Sequence, residues 1–459
     1  MGVVENIVRA VGPRAVVLTD PAAQAGMRSD QSGIVGPLPL CTVRPGDAED
    51  VRLVVSVCRD DGVPIVARGG GTGLEGGCVP VLDCVVIDTS SLDAILRISP
   101  EDRLATVGAG VTAERLNSLV AEHGLFFPVA PAGAAESATM GGMVSTNARG
   151  MHAVKYGSAG DNLLAATVVM ADGTLARFGH DVFHSSSGLR MAALLAGAEG
   201  ILGVITEVTV RLHPLPEARK SILLEFDNLE DAADVCALIA AYVPDAAAIE
   251  IVSAPTISVL LSAFPDAGFP PAGESLVMIE LHGGPESIGC AADTVLDIAA
   301  DHDGRPFVPP RGTDPWADRH RFTRAISAMS CEGRPCRFDA AVPLTRLTEY
   351  IRCLEQAAAS VPGRPTTCIF GHAGAGIMHV LLPIGDKPGL WGTAAAAAFR
   401  LASTKTALSL GGTASGEHGI GLSSIGPCAA ENAGSIHWMR AVRLALDPQE
   451  IMNPGKVLL

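Results

Sequence analysis

The chain lacks any uninterrupted apolar run approaching the ~20 residues that cross a bilayer. A membrane-spanning helix is thereby excluded and a soluble protein is expected. Positive charge is also scarce: 33 Lys and Arg against 49 Asp and Glu leave a net charge of −16. Nucleic-acid binding needs a basic face, so that class of partner is excluded. If the substrate is an anion, the long-range field repels it and local arginines must supply the attraction. CxxC pairs are missing too. The 11 cysteines are scattered, and the closest two, Cys331 and Cys336, are spaced CEGRPC. Reduced, mostly buried thiols of a cytosolic protein fit this better than a zinc ribbon or a disulfide framework. The N-terminus, MGVVENIVRAVGPRAVVLTD, has no basic region before an apolar block and no small-residue cleavage site, so it reads as a first helix and strand. Neither GxGxxG nor a P-loop occurs, which makes a simple Rossmann reading poor.

What is present is a globular composition, 48% hydrophobic and only 18% charged, over 459 residues. That length exceeds the usual limit of one hydrophobic core, so two domains are expected. The N-terminal half sets short apolar strands between glycine clusters. ILGVITEVTVRL alternates Ile205, Glu207 and Thr209 against Thr206, Val208 and Val210, a β signature. It ends in RLHPLP, residues 211 to 216, the best candidate boundary. Beyond it, strand-like SILLEF, IEIVSA, LVMIELHG, FDAAVP, TCIFGH and IMHVLLPIG interleave with helix-like EDAADVCALIAAYV, ESIGCAADTVLDIAAD and LTRLTEYIRCLEQAAA. This rhythm predicts an α+β layer, a sheet covered by helices on one side. From Gly416 the chain returns to glycine-rich loops, then one helix, IHWMRAVRLALD, and the tail NPGKVLL. No internal repeat or low-complexity tract is visible; TAAAAAFRLASTKTAL reads as an alanine-rich helix.

Two kinds of motif carry chemistry. The first is glycine-rich: PIVARGGGTGLEGG, ATMGGMVSTNARG and GAEGILGVIT stand at strand ends. Successive N–H groups in a glycine run can nest an anionic pyrophosphate. Three such clusters suit a long, flat ligand in a groove, and a dinucleotide has that shape. The second is GHAGAGIMH, residues 371 to 379, with histidines seven apart. On one helix, seven residues return to the same face about 10 Å higher; on one straight strand, an odd spacing points the rings to opposite faces. Two ligands of one metal must both reach to roughly 2.1 Å from it. Only a bend allows that, and Gly374 and Gly376 are where the chain can reverse with φ > 0. The histidines alone leave a metal site and a plain glycine turn both open.

Read in order, ARGGGTGLEGG, ATMGGMVSTNARG, KYGSAGDNLLAATVVMADG, GAEGILGVIT, FGHAGAGIMH, GEHGIG and DPQEIMNPGKVL resemble the FAD-linked oxidases of the vanillyl-alcohol oxidase superfamily. Within it they resemble the branch of D-lactate dehydrogenases, glycolate oxidase flavoprotein subunits and D-2-hydroxyglutarate dehydrogenases, from about residue 37 to 459. The resemblance implies an α+β fold: a two-part PCMH-type FAD-binding domain over residues 1–216 and an α+β substrate cap over 217–415. Residues 416–459 would return to the FAD domain and complete the active site. FAD would place its pyrophosphate on Arg68, Gly69, Gly70, Gly71, Thr72 and Gly73, with Pro131, Thr139, Gly142, Thr146, Ala148, Gly150, Ile205 and Asn453 lining the rest of the groove. Relatives with covalent flavin carry a histidine in the first loop; Thr72 and its glycine neighbours stand there in this chain, so the FAD is expected to be dissociable.

The resemblance also joins GHAGAGIMH to SGEHGIG, residues 415 to 421. His372, His379 and Glu417 would hold a divalent metal, Zn or Mn, with positions left open for substrate. His418 would be the general base, a role that the near-neutral pKa of histidine suits. Arg319, in the pattern Trp-x-x-Arg, would bind a substrate carboxylate bidentately, with Thr323 one helical turn on and Arg337 assisting. The implied reaction oxidises a D-2-hydroxy acid, D-lactate-like, to the 2-oxo acid. Electrons would pass to a quinone, cytochrome or electron-transfer flavoprotein, or to oxygen. The alternatives are D-2-hydroxyglutarate, another alcohol at a weakened metal site, or a non-catalytic flavin-binding subunit of a glycolate oxidase-like complex. A cytoplasmic place is expected, with peripheral attachment at the inner membrane as the variant, and a homodimer as the candidate assembly.

This chain departs from the family between the histidines. Where relatives have Gly-Asp-Gly-Asn it has Gly374, Ala375, Gly376 and Ile377, which removes side chains that could orient ligands or water. Leu381 replaces a polar residue of the hydroxyglutarate enzymes, which points to an apolar pocket wall. Trp316 is expected to pack in the core or at a helix cap.

Overall fold

The computed structural model describes every residue except Met1, Ala132, Gly133, Ala135, Ala272 and Leu459. The chain divides into two compact units: the first comprises Met1–Arg149, Gly157–Leu215 and His418–Leu459, and the second Gly150–Tyr156 and Pro216–Glu417. Among the described residues, no helix is long and apolar enough to cross a membrane.

The first unit holds two main sheets. One runs Val16–Leu18, Cys41–Arg44, Val85–Asp88, Ile65–Arg68, with its last three strands parallel. Parallel strands are covered on both faces, and Val43, Val85, Val86 and Ile87 are accordingly all buried. Helix Ala48–Asp61 supports this sheet; it starts where Asp47 accepts from the amide of Asp50 and stops at Gly62 in the left-handed conformation. The other sheet is antiparallel, in the order Ile95–Ser99, Leu104–Gly108, Val204–Arg211, Leu163–Val169, Leu175–Gly179. Helices Ala113–Val120 and Met140–Thr146 contribute to its core. The tail returns to the first sheet, where Asn453 N–H donates to Ile65 O at 2.8 Å.

The second unit is one seven-stranded antiparallel sheet. Its strands in chain order are β1 (Ala218–Phe226), β2 (Ala246–Val252), β3 (Ser275–Gly283), β4 (Arg305–Pro306), β5 (Cys336–Ala341), β6 (Cys368–Gly371) and β7 (Ile377–Leu382). Their order across the sheet is β4-β1-β3-β2-β6-β7-β5. Strand alternation sends Leu224, Ile249, Ile251, Val277, Ile279, Phe338, Met378 and Val380 to one face. There they pack against α2 (Leu229–Tyr242), α4 (Pro285–Ala300), α7 (Leu347–Ala359) and α8 (Thr393–Ser409).

Helices were expected on one side of the sheet, and they cover the other face as well. Leu223, Val252, Leu276, Met278, Phe370 and Leu381 pack there against α3 (Ala254–Ala263) and α6 (Phe322–Met329). Both helices are short and carry bulky residues on one side, such as Ile257, Leu260, Phe322 and Ile326. Register also places the polar residues on this second face. Val252 stands opposite Phe370, Phe370 opposite His379, and His379 opposite Asp339. Glu250 lies two residues before Val252, so it joins them.

A candidate metal and carboxylate-binding site

The bend between the two histidines is a short 3₁₀ turn, Ala373–Ala375, that joins β6 to β7. Only one of the two expected glycines reverses the chain. Gly376 has φ +71 and its missing Cβ would meet Val342 O at 2.2 Å. Gly374 instead yields space, since a Cβ there would stand 2.9 Å from the Cβ of Ile249. Ala375 lies in the turn and Ile377 opens β7 as a buried residue. Of the two positions where relatives carry Asp and Asn, that of Ala375 is thus half-buried and that of Ile377 buried.

The turn brings His372 and His379 to ring centroids 5.1 Å apart at 90°. Glu417 completes the set: its Oε2 lies 3.2 Å from His372 Nε2 and 3.3 Å from His379 Nε2. Donors held at 2.0–2.1 Å in tetrahedral zinc geometry stand about 3.3 Å from one another, so the three residues fit a metal of that class. The loop carrying Glu417 is fixed by Asp339, which accepts from the Glu417 amide at 2.5 Å and from Ser415 Oγ at 3.2 Å.

Behind His372 stands a residue that sequence reading missed. Glu250 is fully buried; one carboxylate oxygen is 2.5 Å from His372 Nδ1, and the other meets Nε and Nη2 of Arg319. A ligating histidine commonly gives its second nitrogen to such a partner, which fixes ring and tautomer. Burial pushes the Glu250 carboxyl up, but Arg319 and then His372 pull it below its ordinary value. Burial likewise opposes charge on Glu417, and the two imidazoles hold it well below the carboxylate range. Burial disfavours a charged His372 ring, yet the carboxylates of Glu250 and Glu417 outweigh it and push the pKa up to about 9. The space between these groups therefore calls for a cation, whether proton or metal.

Arg319 ends a short helix, α5 (Pro315–Arg319), capped by Asp314, whose Oδ1 accepts from Trp316 and Ala317. It is buried and lies 5.8 Å above the ring of Phe370. Trp316 packs beside the second-face core and donates to Ser221 Oγ at 2.8 Å. Thr323 is not one turn on from Arg319: it sits exposed on α6, a separate helix. Arg337 stands in β5 directly opposite Leu381, two residues from Asp339 and on the same face as the cluster. Leu381 itself is buried in the second-face core. His418 follows Glu417 at the point where the chain enters the first unit.

The glycine loop belongs to the first unit, and so do the other cofactor candidates except Gly150, which groups with the second. The loop leaves strand Ile65–Arg68 pressed against the second glycine cluster. A Cβ on Gly70 would lie 1.8 Å from Ser137 O, and one on Gly69 2.2 Å from Thr139 Oγ1. Gly71 has φ +67, and its Cβ would strike the Arg68 guanidinium, which is held by Ser29 O at 2.8 Å. The glycines thus let the loop pack closely against its neighbours, and successive amides in a run without side chains can nest a pyrophosphate. Thr139 caps helix Met140–Thr146 through the Gly142 amide, and Thr146 Oγ1 donates to Gly142 O at 3.1 Å. Thr72, Gly73 and Pro131 are half-buried, and Ala148 and Ile205 are buried. Asn453 is engaged by protein: its Nδ2 donates to Gly77 O at 2.9 Å and Glu199 O at 2.6 Å, and its Oδ1 accepts from Lys456. Glu199, another residue the motif reading left without a role, accepts from the amides of Ile420 and Gly421 at 2.6 and 2.9 Å.

Two family models match the chain: "FAD binding domain" over residues 39–179 and "FAD linked oxidases, C-terminal domain" over 215–457. The chain is 31% identical to a D-lactate dehydrogenase of Archaeoglobus fulgidus over 91% of its own length and 90% of that protein's. It is 30% identical to the glycolate oxidase subunit GlcD of Bacillus subtilis, covering 92% and 89%. In fold it resembles p-cresol methylhydroxylase solved with substrate bound, at TM-score 0.81 and 17% identity, over 100% of this chain and 96% of that one.

Proposed function

Because the chain belongs to the FAD-linked oxidases, we propose that it oxidises a D-2-hydroxy acid with a hydrophobic or small side chain, D-lactate-like, to the 2-oxo acid. When bound, FAD would supply the two-electron acceptor, and His372, His379 and Glu417 would hold a divalent cation that would supply Lewis acidity toward the substrate hydroxyl. Arg319 receives the substrate carboxylate. Its Nε and Nη2 are committed to Glu250, so the bidentate grip expected from the sequence gives way to a contact through Nη1, and Arg337 adds positive charge on the same side of the sheet. His418 takes the hydroxyl proton as the Cα–H bond gives up its hydrogen and electron pair. The products are the 2-oxo acid, the reduced cofactor and a protonated His418, which returns its proton to solvent.

The observation that carries this reading is the His372–His379–Glu417 set at 3.2 and 3.3 Å, backed by Glu250 and Arg319. Buried Leu381 favours a monocarboxylate over hydroxyglutarate, since a second carboxylate would find an apolar wall there. The electron acceptor is a quinone, cytochrome or electron-transfer flavoprotein. The test is anaerobic bleaching of the flavin by paired D- and L-2-hydroxy acids, before and after EDTA and after added Zn²⁺ or Mn²⁺. D-Lactate should bleach it, chelation should slow the reaction at least tenfold, and metal should restore it. Bleaching by the L-acid alone, or indifference to chelation, would overturn the proposal.

A further inference from the structure

A second cluster lies in the same unit, outside the site just described. His152 precedes a one-turn helix, α1 (Ala153–Tyr156), and Glu280 and His282 alternate along β3, two residues apart and so on one face. The Glu280 carboxylate reaches both rings: Oε2 is 2.9 Å from His152 Nε2 and Oε1 is 3.0 Å from His282 Nε2. The two rings lie 5.2 Å apart, against 5.1 Å for His372 and His379. The composition and ring spacing match those of the first cluster, two imidazole Nε2 atoms around one carboxylate, although here each ring meets its own carboxylate oxygen.

We propose that His152, Glu280 and His282 bind a second divalent cation of the zinc class. Three observations support it. The donor atoms all lie within 4.8 Å of one another, so small side-chain shifts bring each to the ~2.0–2.2 Å that zinc requires. His282 Nδ1 is 2.9 Å from Tyr156 Oη, so with that nitrogen donating, Nε2 presents its lone pair to a metal. The segment is also already seated on β3, since Lys155 Nζ donates to His282 O at 2.5 Å and reaches Asp245 at 3.4 Å. A competing cation near the carboxylate, among the described residues, is Arg219, whose Nη1 is 3.9 Å from Glu280 Oε1; half exposed, it can turn to solvent when a metal enters. His152 and Glu280 are 24% and 19% exposed, which leaves a fourth position open to water and makes loading from solvent feasible. Its expected role is structural, clamping Gly150–Tyr156 to the sheet of its own unit.

The test is zinc stoichiometry of the purified, FAD-loaded full chain after chelation and reloading, by elemental analysis and calorimetric titration. Two zinc ions per chain are expected. His152→Ala should remove one, and His372→Gln the other. His152 is half-buried, and flavin content and melting temperature without metal check that its variant folds. Zinc should raise the melting temperature of wild type further than that of His152→Ala. A cobalt-loaded sample gives an independent reading, as His152→Ala should halve the visible d–d absorbance. A stoichiometry unchanged by His152→Ala overturns the inference whatever happens at His372. A single zinc lost with His152→Ala and retained in His372→Gln supports it while overturning the first site, so the two fail separately.

Discussion

At the scale of single residues, the centre of the candidate site is Glu250. Its neighbours could be found by motif, because GHAGAGIMH and GEHGIG are conspicuous strings; Glu250 sits in IEIVSA, where a lone acid on an alternating strand reads as a solvent-facing position. Only folding shows it buried, 122 residues from His372 in sequence and 2.5 Å from it in space. Its two partners make a prediction. Glu250→Gln leaves Arg319 buried without its counter-charge, which costs about 3–5 kcal/mol, and loosens the His372 ring, which lowers metal affinity about 10 to 100-fold. Urea unfolding and zinc titration measure the two effects. Metal affinity unchanged in a folded variant would show that Glu250 serves stability alone.

At the scale of elements, two joints carry the first unit. One is the contact of the glycine loop with Ser137–Thr139. Gly70→Ala puts a methyl where only 1.8 Å to a carbonyl oxygen is available, and backbone cannot yield as a flexible side chain does. FAD content of the purified variant should fall at least tenfold while the second unit keeps its fold; full flavin occupancy would show that the loop does not form the cradle. The other joint is Glu199, which holds Ile420 and Gly421. Burial pushes its pKa up to about 7, against the lowering effect of those two amides. A carboxyl raised in the folded state binds its proton more tightly there than in the unfolded chain. Stability from this group is therefore greatest below the unfolded value near 4.5 and is lost as pH rises to about 7. The loss is on the order of 3 kcal/mol. Urea midpoints taken from pH 5 to 8 should fall in wild type, with a shallower slope in Glu199→Gln; parallel slopes would refute the assignment.

At the scale of the whole molecule, a net charge of −16 repels an anionic substrate such as the proposed 2-hydroxy acid at long range. Higher salt screens that repulsion, so the association rate, followed as flavin bleaching at low substrate, should rise with ionic strength; a rate that falls would count against an anionic substrate. The attachment of the cofactor is also read on the whole chain. The first loop carries Thr72 among glycines and no histidine, so acid precipitation should release all FAD to the supernatant, read by its absorbance. Flavin retained in the pellet would contradict this.

The sequence by itself determined the family and the glycine clusters and picked out His372, His379 and Glu417 as candidate ligands, because each rests on a short contiguous string whose chemistry is local. It also showed that His372 and His379 need a bend between them. Tertiary structure decided which glycine bends, Gly376 with φ +71 and not Gly374, since that depends on what each meets: Val342 in one case, Ile249 in the other. It likewise decided that α3 and α6 cover the second face of the sheet, that Thr323 leaves Arg319, and that Glu250 binds both Arg319 and His372. The physical reason is common to all of these. Burial and pairing follow from the register of strands far apart in the chain, and no local periodicity records which residue will stand opposite which.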